Sequence, residues 1–346
     1  MPPPGGRISE MIDAVIRRVE ARENLAQEEM ADTIGLIMRA GCSEHHTARL
    51  LLALHEKGET VAEVAGAAQA MRRYMTPIRT RRTGVVDTCG TGGDVSGTFN
   101  ISTAAALVTA AAGVPVAKHG NRSITSRSGS ADVLAALGVN IEADVPCVET
   151  CLDELGIAFC YAPLLHQAMQ HVAAVRKRLH VPTIFNLLGP LVNPAGAPLQ
   201  LLGVGKRRLQ PLLGEALTLL GSQRALVVHG EDGLDEVTLA AATLVWESGP
   251  EGPRQYQWTP ADFGLPAASL ETLQVAGPAE SAAMIRDILA GHPGPPRDIV
   301  VANAAAALWL AGRAASLIAC ARLAAEAIDS GAARTILARL VEITQG

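Results

Sequence analysis

Apolar residues recur at helical spacing along the first part of the chain, up to about residue 82. The two clearest stripes comprise Ile8, Met11, Ile12, Val15, Ile16 and Val19, then Met30, Ile34, Ile37 and Met38, the second ended by Gly41. Residues 50–55 and 61–71 predict two more helices, with Lys57-Gly58-Glu59-Thr60 as the turn and N-cap between them. Residues 1–82 are therefore predicted to form a small helical domain.

From Gly84 onward, short apolar runs alternate with helical patterns. Strands are predicted over residues 85–86, 114–117, 157–160, 199–204 and 225–229, and helices over residues 102–112, 130–137 and 146–156. This alternation predicts an α/β domain with a mostly parallel central sheet. Because such sheets bind ligands beyond the carboxyl ends of their strands, the loops at those ends are the candidate site.

The rest of the chain is helical or polar. Residues 168–194 show a helical pattern without an obvious strand, so this stretch either rejoins the helical domain or crosses between the two. The predicted division is therefore residues 1–82, joined by part of 168–195, and an α/β domain of residues 83–167 and 196–346. Residues from Asp298 onward predict Ala-rich helix, and residues 249–257 predict a polar surface excursion.

Composition narrows the functional class. A chain of 346 residues with a net charge of −5 is long enough for a large and a smaller domain, and it has no basic face for nucleic acid. The N-terminus lacks a secretory pattern, and the longest apolar tract, residues 304–312, is too short to span a bilayer. The six cysteines form no C-x-x-C pair, which favours reduced thiols in a cytoplasmic enzyme over a zinc site.

A glycine-rich loop, Asp87-Thr88-Cys89-Gly90-Thr91-Gly92-Gly93-Asp94, follows the first predicted strand. Its glycines let backbone amides approach an anion, and the next helix begins near Asn100-Ile101-Ser102-Thr103 with free amides and two hydroxyls. A dinucleotide fingerprint would need glycine where Val95 stands, and the Gly-Lys-Ser/Thr of a Walker loop is missing. A plain tight turn is the alternative, but the downstream polar residues favour phosphate binding.

A second candidate anion loop, Lys118-His119-Gly120-Asn121-Arg122-Ser123-Ile124-Thr125-Ser126, follows the next strand. Lys118 would act as a point charge on phosphate, and Ser126 and Ser130 can donate hydroxyls. A solvated loop for Lys118 and Arg122, and a packing role for His119, are the alternatives. Asp132, in the first turn of the following helix, is explained by capping alone.

Carboxylates cluster after the strand at residues 225–229, in Gly230-Glu231-Asp232-Gly233-Leu234-Asp235-Glu236. Adjacent carboxylates suit Mg²⁺, which takes oxygen ligands and phosphates together, although an acidic surface turn would look the same. The two phosphate loops favour the metal, because the charge of a pyrophosphate leaving group must be neutralised.

A third region runs from Ala162 to Arg178. Arg176 follows an apolar helix face and could hold a carboxylate through paired hydrogen bonds, whereas Arg178 is interpreted as a surface arginine. His166 and His171 are either acid–base groups or packing residues, and the sequence leaves both open.

Together these motifs resemble the anthranilate phosphoribosyltransferase family nearly end to end. The resemblance also covers Ser128-Gly129-Ser130-Ala131-Asp132-Val133-Leu134, Val175-Arg176-Lys177, Thr183-Ile184-Phe185-Asn186-Leu187-Leu188-Gly189-Pro190-Leu191 and Asp232-Gly233-Leu234-Asp235-Glu236. It implies a small helical domain on a larger α/β domain, as in pyrimidine nucleoside phosphorylases, and usually a homodimer. The implied reaction transfers the phosphoribosyl group of phosphoribosyl pyrophosphate (PRPP) to the amine of anthranilate, with Mg²⁺ as a pair of ions, in tryptophan biosynthesis.

The resemblance also implies roles for individual residues. Those expected to bind PRPP are Gly90, Gly93, Asp94, Thr98, Asn100, Ile101, Ser102, Thr103, Lys118, Ser126 and Ser130. Gly90, Asn121 and Arg176 would contact anthranilate, and Ser102, Asp235 and Glu236 would bind Mg²⁺. No catalytic acid or base is implied; the carboxylate of anthranilate is one candidate for accepting the amine proton, and His119 is a weaker one.

The chain departs from the family pattern at a few positions. Gln167 stands where proline is common, His180-Val181-Pro182 replaces a common Gly-x-Arg, and Thr125 replaces a usual serine. The first two lie on the acceptor side, so they bear on acceptor selectivity rather than on the PRPP chemistry.

Two other functions share some of these features. A nucleoside phosphorylase of the same fold would typically show Lys-His-Ser where this chain has Lys118-His119-Gly120-Asn121, and it would lack the paired carboxylates. A non-catalytic, nucleic-acid-binding relative would be expected to have a basic surface and degenerate phosphate loops.

Overall fold

The N-terminal helices form as their caps and apolar stripes predict. The computed structural model describes residues 4–92, 94, 96–123 and 127–346. Its first helices are α1 (Pro4–Glu20), α2 (Gln27–Met38), α3 (Glu44–Lys57) and α4 (Val61–Tyr74). The Thr60 amide donates to the Glu63 carboxylate at 2.8 Å, and the Glu63 amide donates to the Thr60 hydroxyl at 3.3 Å. This reciprocal cap confirms the predicted turn before α4.

One seven-stranded sheet forms the centre of the rest of the molecule. Its strands are β1 (Val86–Gly90), β2 (Val116–Gly120), β3 (Ile157–Tyr161), β4 (Leu199–Gly203), β5 (Arg224–Gly230), β6 (Thr243–Ser248) and β7 (Arg254–Trp258). The spatial order is β3-β2-β1-β4-β5-β6-β7. Strands β1 to β5 pair in parallel, whereas β6 and β7 pair antiparallel, which confirms a mostly parallel sheet.

Helices cover both faces of this sheet. They are α5 (Ile101–Ala111), α6 (Ser130–Ala136), α7 (Val145–Leu155), α8 (Ala162–Leu165), α9 (Gln170–Leu179), α10 (Phe185–Leu188), α11 (Leu209–Leu219), α12 (Pro278–Leu289), α13 (Pro295–Leu310), α14 (Leu317–Asp329) and α15 (Ala332–Gln345). Within the described residues, no helix combines the length and apolar character that crossing a bilayer would require.

The prediction of a polar surface excursion over residues 249–257 is confirmed for residues 249–253, which form a turn, but it is wrong for residues 254–257, where β7 lies. Its residues pair with β6, and the Tyr256 hydroxyl donates to Glu247 on that strand at 2.8 Å. β7 is one of the two edge strands, so its backbone can pair on one side while its polar side chains stay in water. The polarity of residues 254–257 therefore reflects an edge position and not a loop.

The hydrophobic core has two parts, one on each face of the sheet. The first packs α5 and α13 against one face, with α14 and α15 packed on those helices. The second joins apolar residues of α1 to α4 with Val172 and Val175 of α9, the segment 184–192, and the opposite face of β4 and β5. Helix α4 packs on α11 within this second part. The N-terminal helices thus share one core with the sheet.

The strand order reverses between β1 and β4, which are neighbours in the sheet. The connections run outward from β1 to β3 on one side and from β4 to β5 on the other. A crevice opens at the carboxyl ends of two such strands, and ligands of open α/β sheets bind there. Gly90 and Gly203 are paired at that end, so the loops that follow them border the crevice.

Candidate functional site

Asp235 lies between the ends of β1 and β4, directly beneath the glycine-rich loop. Its carboxylate accepts a hydrogen bond from the Gly92 amide at 3.0 Å. A Cβ atom at position 90 would lie 2.6 Å from the Asp235 carboxylate, and one at position 203 would lie 1.6 Å from the Asp235 carbonyl oxygen. Glycine is therefore required at position 203, where the clash is with backbone, and a side chain at position 90 would displace the Asp235 carboxylate.

Glu236 and Lys118 meet at the first turn of α5. The Ser102 amide donates to the Glu236 carboxylate at 3.1 Å. The Lys118 ammonium donates to the Ser102 hydroxyl at 3.1 Å and to the Thr88 carbonyl at 2.5 Å. Residues predicted from three separate motifs are therefore brought together in the crevice.

The charges in this crevice are buried and unbalanced. Burial, together with the Asp94 charge, raises the pKa of Asp235 to about 7. Burial and the neighbouring Asp235 raise the pKa of Glu236 to about 8, while burial lowers the pKa of Lys118. One buried lysine faces several carboxyl groups, so an added cation would stabilise their ionised forms.

The donor atoms fit a magnesium ion that is bound together with a phosphate. Mg²⁺ is usually held by one or two carboxylates plus phosphate oxygens and waters. Within the described ranges, no group of three His, Cys, Asp or Glu side chains is arranged to hold a metal alone. The Thr103 hydroxyl at the start of α5 is buried and has no hydrogen-bond partner among the described residues, so it can donate to a bound oxygen.

The Asn100 side chain forms hydrogen bonds with other protein groups and does not point freely into the crevice. Its side-chain carbonyl accepts from the Ser128 hydroxyl at 2.7 Å and from the Ser281 hydroxyl at 2.9 Å, and its amide donates to the Ser128 carbonyl at 3.1 Å. Asn100 thus ties the start of α5 to the second loop and to α12. Sequence reasoning missed Ser281, which lies 181 positions away along the chain.

The other predicted PRPP residues differ in where they lie. Asp94 accepts from Ser96 at 2.6 Å, and Ser96 contacts Thr98 at 3.0 Å, so these side chains order the first loop. Ile101 is buried in the core and can contribute only its backbone to a ligand. Ser130 lies against the end of β2, where its hydroxyl donates to the Asn121 carbonyl at 3.5 Å. The predicted residues Gly93 and Ser126, and the departure at Thr125, lie outside the described residues.

Arg176 presents a guanidinium without an acidic partner. It is half-buried on α9, with its guanidinium carbon 5.6 Å from the centre of the Phe185 ring. Burial lowers its pKa, and none of the ion pairs formed between described residues includes it. Arg178 instead pairs with Glu44 at the surface, which confirms the interpretation of that residue as a surface arginine.

Two buried histidines lie next to each other near the end of β2. The Nδ1 atom of His119 donates to the Gly189 carbonyl at 3.0 Å, because a carbonyl oxygen can only accept. The Nε2 atoms of His119 and His166 are 3.1 Å apart. Burial lowers the pKa of His119 to about 3 and that of His166 to about 4. Both rings are therefore neutral near pH 7, whereas His171 is exposed.

Several charged residues of the motifs have structural partners. Asp232 accepts from the Leu234 amide at 3.2 Å and the Thr238 hydroxyl at 2.5 Å, which holds the turn before Asp235. Asp132 accepts from the Gly129 amide at 3.1 Å, as capping predicts, and also from the Ser123 amide at 2.9 Å. Asn121 is exposed, and its side-chain oxygen accepts from the Arg122 amide at 2.7 Å.

A buried polar group on β4 was missed by sequence reasoning. Gln200 on β4 donates from its amide to the Pro190 carbonyl at 2.5 Å and to the Asp87 carboxylate at 3.4 Å. Burial raises the pKa of Asp87 to about 6, although the Asn193 side chain opposes this by hydrogen bonding to it. Asp87 lies 113 positions before Gln200 along the chain, so no local pattern connects the two residues.

Comparisons with known proteins agree with this fold. The model of the α/β domain of a glycosyl transferase family matches residues 82–334, and the model of its helical bundle domain matches residues 13–75. An anthranilate phosphoribosyltransferase of Rhodopirellula baltica is 49% identical over 327 residues, covering 94% of this chain and 96% of that protein.

Two solved structures are similar to this chain in three dimensions as well as in sequence. The anthranilate phosphoribosyltransferase of Thermus thermophilus superposes with a TM-score of 0.90 at 44% identity, covering 96% of this chain and 99% of that one. The Saccharomyces cerevisiae enzyme in complex with PRPP and Mg has a TM-score of 0.89 at 28% identity, covering 97% and 98%.

Proposed function

The chain belongs to the anthranilate phosphoribosyltransferase family, and on that premise we propose how its residues divide the reaction between them. It transfers the phosphoribosyl group of PRPP to the amine of anthranilate, giving N-(5-phosphoribosyl)anthranilate and pyrophosphate in tryptophan biosynthesis. The observation that carries the assignment of residues is the meeting of Ser102, Lys118 and Glu236 beside Asp235 at the reversal of strand order.

PRPP is bound at the crevice between β1 and β4. The phosphates take hydrogen bonds from the first-loop amides, from the Thr103 hydroxyl and from the Lys118 ammonium. Ser102, Asp235 and Glu236 hold Mg²⁺ as a pair of ions, a ligand set supported by the excess of buried carboxyl groups over cations. The yeast relative that binds PRPP and Mg supports the same pairing of substrate and metal here.

Anthranilate is bound on the α9 side, with its carboxylate on Arg176. The unpaired, half-buried guanidinium offers parallel donors to a carboxylate. Gly90 and Asn121 complete the acceptor site from the ends of β1 and β2.

The chain's own groups act mainly through position and charge. The bond from the ribose carbon to pyrophosphate stretches first, and Lys118 and the loop amides stabilise the charge that develops on the leaving group. Bound Mg²⁺ supplies further charge neutralisation to the same oxygens. By holding the carboxylate of anthranilate, Arg176 places the amine in line with the ribose carbon. The amine is a modest nucleophile, and its positioning contributes more than a strong base would.

We do not assign the amine proton to His119. Its pKa of about 3 makes it a weak acceptor at neutral pH, and its Nε2 atom already contacts His166. The carboxylate of anthranilate lies next to the amine within the same molecule, so we infer that the substrate itself accepts the proton.

We also propose the wider organisation that the sequence predicts. Residues 1–82 with part of 168–195 act as one unit, and residues 83–167 with 196–346 act as the other. Two chains associate as a homodimer in the cytoplasm, which sedimentation of the purified protein would test.

The decay of anthranilate fluorescence with time tests the assignment. Purified protein should consume anthranilate only when PRPP and Mg²⁺ are both present, and Asp235→Ala/Glu236→Ala should abolish the decay. Arg176→Ala should raise the KM for anthranilate more than the KM for PRPP. Binding of PRPP without any decay would exclude anthranilate as the acceptor.

A further inference from the structure

The Gln200 side chain connects the sheet to the segment that follows α10. Gln200 is 4% exposed, and its amide nitrogen lies 2.5 Å from the Pro190 carbonyl oxygen, its shortest polar contact. The same nitrogen lies 3.4 Å from the Asp87 carboxylate and 3.3 Å from the Cys89 sulfur. A donor this buried would cost free energy if it were unpaired, so the Pro190 carbonyl is held firmly in place.

Asp87 fixes the direction in which the Gln200 amide points. An ionised carboxylate only accepts hydrogen bonds, so the nitrogen of Gln200, and not its oxygen, faces Asp87 and Pro190. The other oxygen of Asp87 accepts from the His119 amide at 3.3 Å. Asp87 therefore aligns the backbone at His119 and the amide of Gln200 at the same time.

The Gly189–Leu191 turn held by Gln200 lies beside two groups of the acceptor side. The carbonyl of Gly189, one residue before Pro190, accepts from the His119 ring, which contacts His166 in turn. Helix α10 ends at Leu188, immediately before the turn, and begins at Phe185, whose ring lies under the Arg176 guanidinium. A shift of this turn would move both the His119 ring and the Phe185 support of Arg176.

We propose that Gln200 is a positioning residue for the acceptor, acting through the Gly189–Leu191 turn and without contact to either substrate. The inference rests on the proposed function, in which Arg176 binds the carboxylate of anthranilate. The donor residues Ser102, Lys118 and Glu236 do not contact Gln200 or the turn through any described hydrogen bond. Loss of the Gln200 donor should therefore affect anthranilate and leave PRPP nearly unchanged.

Gln210 provides a matched control. It is also a buried glutamine, 5% exposed, and its amide nitrogen donates to the Val227 carbonyl at 2.8 Å and the Leu244 carbonyl at 2.9 Å. It lies on α11, away from the substrate-binding residues proposed above. Gln200→Met and Gln210→Met each remove one buried donor while keeping the volume of the side chain, so both should lower thermal stability similarly.

The test is steady-state kinetics with each substrate varied in turn. Gln200→Met should raise the KM for anthranilate about tenfold, as expected when positioning is lost, and leave the KM for PRPP within about twofold. Gln210→Met should leave both constants within about twofold. Gln200→Asn, which keeps an amide but retracts it from Pro190, should show the same selective change and serves as the readout if Gln200→Met does not fold.

Equal changes in the two KM values, or constants for the Gln200 variants that match those of the Gln210 variants, would overturn the proposal. Arg176→Ala, measured alongside, separates this failure from that of the proposed function. If Arg176→Ala raises the KM for anthranilate and the Gln200 variants do not, only the positioning role fails. If Arg176→Ala also has no effect, the acceptor site itself is misassigned.

Discussion

His119 and His166 carry no charge because the protein surrounds them, and this makes the folded state sensitive to acid. Both rings are buried, and their pKa values fall to about 3 and about 4 from an unfolded value of 6.5. Below pH 6.5 these histidines bind protons in the unfolded chain but not in the folded chain. Stability contributed by the two rings is thus complete above pH 6.5 and is lost as the pH falls toward 4.

We expect each buried ring to lower the free energy of unfolding by about 2 kcal/mol at pH 5 relative to pH 7. Urea unfolding of the wild type and of His166→Gln at both pH values measures this, and the variant should lose less stability on acidification. The buried carboxyl groups of Asp87, Asp235 and Glu236 have raised pKa values and contribute the opposite slope. They are present in both proteins, so their effect cancels in the comparison. Equal losses would contradict the assignment of buried neutral rings.

His180 ends α9 in a left-handed conformation, with φ of 52°. This backbone costs a residue with a side chain about 1–2 kcal/mol, whereas glycine adopts it freely but loses about 0.5–1 kcal/mol of extra entropy on folding. His180→Gly should therefore stabilise the protein by about 0.5–1 kcal/mol, measured by chemical unfolding. His171→Gly, an exposed position within the same helix, should instead destabilise it by about 0.3–0.5 kcal/mol. A loss of stability in both variants would rule out strain at position 180.

The roles of residues within one motif could be predicted from the sequence, whereas contacts between residues from distant parts of the chain could not. Asp235 and Glu236 are adjacent and follow a strand, so their chemistry could be inferred from a few neighbours. Ser281 reaches Asn100, and Gln200 reaches Asp87, through folding of distant segments. No periodicity or spacing connects such pairs, because the contact exists only after the strands are ordered.

Among the elements, α2 and α4 approach each other most closely at Gly66. A Cβ atom there would lie 2.2 Å from the Gln27 carbonyl oxygen and 2.9 Å from the Met30 Cβ. Gly66→Ala should therefore separate the helices and cost about 1–3 kcal/mol of stability. Gly35→Ala on α2, where the nearest atom would be the Tyr74 hydroxyl oxygen at 3.7 Å, should gain up to about 1 kcal/mol from helix propensity. Thermal unfolding of the two variants should shift in opposite directions.

The elements most open to prediction were those with strong local signals. Helix α4 was found from its cap, and α7 from Pro146 near its start and Gly156 after its end. Strand β6 and the neighbouring edge strand β7 were missed because their alternation includes Trp, Tyr and charged residues that face water on one side. An edge strand is specified by its partner more than by its own composition.

For the whole molecule, substrate and metal should stabilise the fold together. A ligand that binds only the folded state at about a hundred times its Kd adds about 2.7 kcal/mol. PRPP with Mg²⁺ should raise Tm more than either alone, and Asp235→Ala/Glu236→Ala should abolish this gain. Glu231→Ala, which removes an exposed carboxylate of the same loop, should keep it. A gain that survives the double substitution would place the metal elsewhere.

The core shared by α1 to α4 and one face of the sheet constrains how sequences of this family can be recombined. Helix α4 packs on α11, and the Arg72 guanidinium donates to the carbonyls of Leu191 at 2.7 Å and Leu220 at 3.2 Å. A chimera that takes its N-terminal helices from one relative and its sheet from another would join two surfaces with separate mutational histories. The crossover that preserves this interface exchanges α11 and the segment around residue 191 along with the helices, although they lie more than a hundred positions downstream.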